Sequence, residues 1–195
     1  MGFNVAKQTV AEGQYERPKA LQYGGSRLYE GPKLWMEHLD KILPHVKQVT
    51  WLDFHTGLGP FGVDSLFVSG DDSPEAIARL SAHYGEAIQS FGPESKIAYE
   101  IRGGMMDGVM ARWAEIEWTS ITQEFGTVKP VKVLQALRAE NRMTQWSPIE
   151  ERKKLNTPER RQLVETFNPS SDKWRSMIMA RGQQLIDDAI TDLSK

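Results

Sequence analysis

Val49-Thr50-Trp51-Leu52-Asp53-Phe54-His55-Thr56-Gly57-Leu58-Gly59-Pro60-Phe61-Gly62 is the stretch that decides the fold. A short apolar run ends in Asp-Phe-His and breaks into a loop with three glycines among six residues. This order fits an α/β protein in which a buried strand delivers an imidazole to the carboxyl edge of a sheet. Glycines there let a substrate or metal approach the backbone. Gln48 to Phe54 is read as the first strand, its mostly continuous apolar character suiting burial on both faces.

Outward from that strand, Lys33 to Leu43 reads as a helix with Leu34, Trp35, Leu39, Ile42 and Leu43 on one face, stopped by Pro44. Residues 13–32, rich in Gly, Tyr and Pro, read as an ordered loop. Ser73 is a plausible N-cap with Pro74 at the first helical position. Ile77, Leu80, Tyr84, Ile88 and Phe91 then follow at helical spacing until Gly92-Pro93. Lys96 to Ile101 and Trp118 to Phe125 read as strands, with a helix carrying Met105, Val109 and Trp113 between them.

Pro130 opens a helix marked by Val131, Leu134 and Leu137, residues 144–156 read as a surface connection, and Pro158 opens a short helix. Ser171 is the cap expected for a last helix whose stripe is Trp174, Ile178, Leu185, Ala189 and Leu193. Strands interleaved with helices mean α/β, with helices covering both faces of a mixed sheet. Three strands, all interior in character, are few for this length and point to a missing part of the sheet.

The 195 residues are 39% hydrophobic and read as one domain, 1–195, or a large piece of one. A net charge of −2 and a pI near 6.1 leave no basic footprint, so nucleic acid is not an expected partner. Without cysteine there are no disulfides, thiolate ligands or cysteine nucleophiles, and any metal sits on His, Asp and Glu. No apolar run approaches the roughly 20 residues of a membrane helix. Residues 1–12 lack the pattern of a signal peptide, so the expected compartment is the cytoplasm.

A histidine at a strand's end can ligate zinc through one ring nitrogen while a neighbouring acceptor fixes the other. Asp53, two residues back, points to the same side of an extended strand and could orient the ligand or sit near the metal. The plainer alternative is a hydrogen-bonded histidine beside an ordinary turn, and the residues alone leave both open. Glu124, at the end of Trp118–Gln123 and before Phe125-Gly126-Thr127, suits a general base beside a metal-bound water. Taken by itself it is more simply an edge-of-sheet glutamate paired with a Lys or Arg. His83-Tyr84-Gly85-Glu86 has the spacing of two zinc ligands, but lies in a helix where those side chains face solvent. His38 and His45 read as surface or boundary residues. Arg102 is one of several arginines able to line a cleft. The glycine loop lacks the lysine and hydroxyl of a phosphate cradle, and no Gly-x-Ser-x-Gly elbow is present.

Gly13-Gln14-Tyr15, Tyr23-Gly24-Gly25, Asp53 to Gly62, Glu124-Phe125-Gly126-Thr127, Val133 to Asn141, and Phe167-Asn168-Pro169 with Trp174 together resemble one group. It is the uncharacterised zinc carboxypeptidase-like family within the zinc carboxypeptidase and aspartoacylase superfamily. The resemblance runs over most of residues 10–175. It implies a three-layer αβα fold with a mixed sheet, and one zinc bound by His, Glu and His. His55 matches the last of those ligands and Glu124 the catalytic glutamate; Asp53 falls in the same motif and is at most a candidate for a residue behind the ligands. Relatives carry an upstream His-x-x-Glu pair and an Asn-Arg segment for the substrate carboxylate, so this sequence reads as the C-terminal portion of such a domain.

The resulting expectation is a truncated metallocarboxypeptidase- or deacylase-like protein. Its ancestral reaction is metal-assisted amide hydrolysis of a small peptide or acyl-amino acid, weak or absent in this chain alone. The alternative is a non-catalytic remnant that self-associates through an exposed sheet edge.

Overall fold

The computed structural model describes residues 13–70, 73–85, 88–90 and 104–194. Four strands, β1 (Gln48–Thr56), β2 (Asp64–Ser69), β3 (Ile88–Ser90) and β4 (Glu117–Phe125), form an open mixed sheet in the spatial order β1-β4-β2-β3. β1 and β4 are parallel, β4 and β2 antiparallel, and β2 and β3 parallel. The helices among these residues are α1 (Glu30–Ile42), α2 (Pro74–Tyr84), α3 (Met105–Arg112), α4 (Pro130–Trp146), α5 (Ile149–Arg152), α6 (Pro158–Phe167) and α7 (Asp172–Leu193).

Alternation along the strands sends side chains to two cores. On one face Leu52, Ile121, Leu66 and Val68 meet Leu80 and Tyr84 of α2 and Leu185 and Ala189 of α7. On the other, Val49, Trp51 and Trp118 meet Leu39 of α1 and Val109 of α3. Helices therefore cover both faces, as the interleaved pattern predicts. Each fully buried side chain such as Ile121 contributes about 1.5–3 kcal/mol of transfer free energy. The caps expected from sequence form: the Ser73 hydroxyl accepts from the Ala76 amide and the Ser171 hydroxyl from the Trp174 amide.

Several expectations need correction. Among the described residues β1 stands at the edge of the sheet, paired only with β4 and mostly half-buried, where the sequence suggests an interior strand. The helix opened by Ser73 stops at Tyr84, because Gly85 takes φ 96° and its N–H caps the Ser81 carbonyl. Ile88 instead enters β3. Residues 144–156 are not a plain connection: α4 runs on to Trp146, and Pro148 restarts the chain as α5. The sequence pattern does not predict β2, although Ser65 to Val68 are all buried in it. On α1 and at its C-cap, Leu39 and Leu43 are buried, whereas Leu34, Trp35 and Ile42 stay exposed. The strand expected at 96–101, the helix end at Phe91 and Gly92, Arg102 and Glu86 lie outside the described residues.

Candidate functional site

β1 and β4 run side by side and finish together, with Asp53 opposite Thr122, His55 opposite Glu124 and Thr56 opposite Phe125. Side chains of in-register neighbours leave the same face of a sheet. Asp53, His55 and Glu124 therefore share one face at the carboxyl ends of the two strands. The His55 imidazole is half exposed, while the Glu124 carboxyl is only 9% exposed. His55 Nε2 stands 3.0 Å from Asp53 Oδ2, and an N–H at that distance donates to the carboxylate. The other ring nitrogen, Nδ1, faces Glu124 Oε2 at 3.9 Å, too long for a hydrogen bond.

The glycine loop closes over this pair. Its Leu58 amide donates to Glu124 Oε1 at 3.0 Å. Three hydrogen bonds hold the loop: Gly57 N–H to the Phe125 carbonyl, Gly62 N–H to the Gly126 carbonyl, and Gly126 N–H to the Val63 carbonyl. Gly57 has φ 127°, and a Cβ there would press on the Phe167 ring. At Gly126 a Cβ would collide with the Pro60 carbonyl. The sequence suggests that these glycines admit a substrate or metal. What approaches them is the protein itself, because the loop packs backbone to backbone against the end of β4. Trp174 Nε1 donates to the Gly126 carbonyl and the Thr56 hydroxyl to the Phe167 carbonyl, so α6 and α7 brace the same rim.

Burial is the main influence on Glu124, pushing its carboxyl from an ordinary 4.5 up to about 7. The Leu58 hydrogen bond and the His55 charge oppose the rise, and the Asp53 charge adds to it. Among the described residues, His55 is the one basic side chain within ion-pair distance of Glu124. The simpler sequence reading, an edge-of-sheet glutamate paired with Lys or Arg, therefore does not hold: β4 is an interior strand and Glu124 is sunk in it. A carboxyl with that value is ready to give or take a proton near neutrality.

As metal donors the three residues fall short. Among the described residues, no group of three or more His, Asp or Glu side chains is arranged to hold an ion. The geometry explains why: Asp53 and Glu124 flank the imidazole at its two nitrogens instead of converging with it on one point. That leaves His55 Nδ1 as a single ligating nitrogen, fewer than the three protein ligands of a catalytic zinc. His83 is elsewhere, and it does not face solvent as expected. Its Nε2 lies 2.9 Å from the Asp188 carbonyl oxygen and helps dock α2 on α7.

A family model described as a protein of unknown function (DUF2817) matches residues 1–181. The chain belongs to the DUF2817 family. No curated protein and no solved structure matches it. In this DUF2817 chain the match takes in β1, the glycine loop, β4, α6 and Trp174, and so every residue of the rim just described.

Sequence reasoning missed a second polar cluster on the opposite face. Gln123 Nε2 donates to Asp64 Oδ2 at 2.6 Å, and Arg181 Nε lies 3.1 Å from Asp64 Oδ1. Burial pushes Asp64 up, but the Arg181 and Gln123 hydrogen bonds and the Arg181 charge outweigh it and hold the carboxyl below 3.8. The available signal was Gln123 itself, a polar residue at an inward position of an interior strand. No helix of the described residues is long and apolar enough to cross a membrane.

Proposed function

We propose that the rim of β1 and β4 is an acid–base site of the zinc carboxypeptidase and deacylase type, directed at the amide bond of a small peptide or acyl-amino acid. Glu124 takes a proton from the attacking water and returns it to the leaving amine. A carboxyl poised near neutrality does both at little cost. His55 is the metal-facing residue through Nδ1, and Asp53 holds its ring by accepting from Nε2. The carrying observation is Glu124 itself, buried, without a Lys or Arg partner among the described residues, and in register with His55. The resemblance of Asp53 to Gly62 and of Glu124 to Thr127 supports the same assignment.

One ligating nitrogen among the described residues does not complete a zinc site, so the chain is expected to bind zinc weakly and to hydrolyse amides slowly or not at all. Calorimetric titration with zinc, paired with an assay on acyl-amino acids and C-terminal peptides, tests this. Weak zinc binding lost in H55A, with any turnover lost in E124Q, supports it. Turnover that survives E124Q, or that H55A leaves untouched, overturns it.

A second reading, association without catalysis, is favoured by β1. Its outer edge is unpaired among the described residues, and Trp35 of the half-exposed α1 face packs edge-on against Trp51 beside it, with ring centroids 6.0 Å apart. A monodisperse monomer by light scattering counts against that reading.

A further inference from the structure

We propose that the groove between the loop at residues 13–24 and α4 binds a small organic anion carrying at least two carboxylate or phosphate groups. The groove is open to solvent, has a volume of about 900 Å³, and is lined by Arg17, Arg138 and Arg142 together with Leu21 and Leu134. Sites for small ligands commonly have this size and this mix of apolar wall and a few polar groups. Although the chain has more acidic than basic residues, none of the lining residues is acidic.

The three arginines line one groove, and among the described residues no acidic side chain pairs with any of them. Arg138 and Arg142 stand one turn apart on α4, where like charges repel, and no Asp or Glu lies three or four residues from either. Among the described residues, none of the three makes a side-chain hydrogen bond or ion pair. The nearby Arg160 shows the contrast, bonding to the Arg152 carbonyl and pairing with Glu140. Planar guanidinium forks match the paired oxygens of carboxylates and phosphates, and several of them in one groove select a ligand with more than one anionic group.

Hydrogen bonds within the loop set the turn that carries Arg17. The Gln14 carboxamide clamps Arg17 at both backbone groups: its Oε1 accepts from the Arg17 N–H at 2.7 Å and its Nε2 donates to the Arg17 carbonyl at 2.9 Å. Farther along, Lys19 Nζ sits 5.0 Å above the ring of Trp146, which tethers the loop to the end of α4. This groove is a separate feature from the His55–Glu124 rim, and the inference does not depend on any activity there.

Calorimetric titration of the full chain with citrate and with pyrophosphate at low ionic strength tests the proposal. Saturable one-to-one binding of either is expected, with citrate the tighter if the groove takes carboxylates and pyrophosphate if it takes phosphates. The double variant R138Q/R142Q should weaken binding by about tenfold or more, while K153Q/K154Q, which removes two cations outside the groove, changes it by less than about twofold. Q14A, which frees Arg17 and leaves every charge in place, should weaken it by a smaller factor. The single variants R138Q and R142Q give the same direction if the pair folds poorly. Absence of saturable binding by both anions overturns the proposal, as does an equal loss in R138Q/R142Q and K153Q/K154Q. So does a single-stranded oligonucleotide that binds more tightly than either anion, which makes the groove a nucleic-acid surface.

Discussion

Glu124 and Asp64 are largely buried carboxyls on neighbouring strands, facing opposite sides of the sheet, and the chain treats them in opposite ways. Asp64 is given Arg181 and Gln123, which hold it ionised below its ordinary value. Glu124 is given one backbone N–H and a half-exposed imidazole, and burial pushes it up to about 7. Paired, a buried acid is structural; left without a fixed cation, it costs stability and can titrate where water chemistry is done. The same sheet shows that this chain can neutralise a buried acid with a guanidinium, so the lack of a Lys or Arg beside Glu124 among the described residues carries information.

The largest effect should come from E124Q. With a folded value near 7 against 4.5 in the unfolded chain, the unfolded state releases its proton first as pH rises. Stability is then undiminished below pH 4.5, declines through the interval, and is lower by on the order of 3 kcal/mol above pH 7. Glutamine removes that penalty, so E124Q should be more stable than the parent at pH 8 and equal to it at pH 4. Urea denaturation at the two pH values measures this, and a destabilised E124Q at pH 8 breaks the contrast.

Next comes G126A. Its Cβ meets the Pro60 carbonyl, so the loop has to move and withdraw the Leu58 amide from Glu124. A loss of about 2 kcal/mol is expected, with the Glu124 midpoint moving further up because the bond that lowers it is gone. Denaturation and a carboxyl titration on the same variant read both effects.

R181M probes the other acid. Removing the guanidinium should destabilise the chain at pH 7 by about 1–2 kcal/mol, since Asp64 keeps its burial and loses its cation. Asp64 lies below its ordinary value, so its contribution is present above pH 3.8 and fades as pH falls through the folded value. R181M should flatten that acid branch of the stability curve and leave the Glu124 branch unchanged.

The smallest effect is expected from D53N, which removes a charge that raises Glu124. The Glu124 midpoint should move down, followed by carboxyl NMR; an upward move would mean that Asp53 acts mainly by holding His55.

Much of the frame was legible because it is local. The run ending in Asp53-Phe54-His55 announces β1, Trp118 to Phe125 announces β4, and period-two alternation puts Asp53 and His55 on one side. Caps at Ser73 and Ser171 follow from hydrogen-bonding chemistry within four residues. What could not be read is register. Alternation says which side Glu124 faces, but not that it lands opposite His55. The Asp64–Gln123–Arg181 cluster joins two strands and a helix far apart in sequence, and no short pattern encodes it. Tyr84 and Ile88 continue a helical spacing across Gly85, and backbone conformation overrides side-chain period there.

Of all measurements, the carboxyl titration of Glu124 in the metal-free parent chain bears most directly on this contrast. Following its carboxyl carbon by NMR from pH 3 to pH 9, with E124Q to assign the resonance, should give a midpoint near 7. A midpoint at or below the ordinary 4.5 would mean that Glu124 is an ionised structural acid like Asp64, and the acid–base role assigned to the rim would fall.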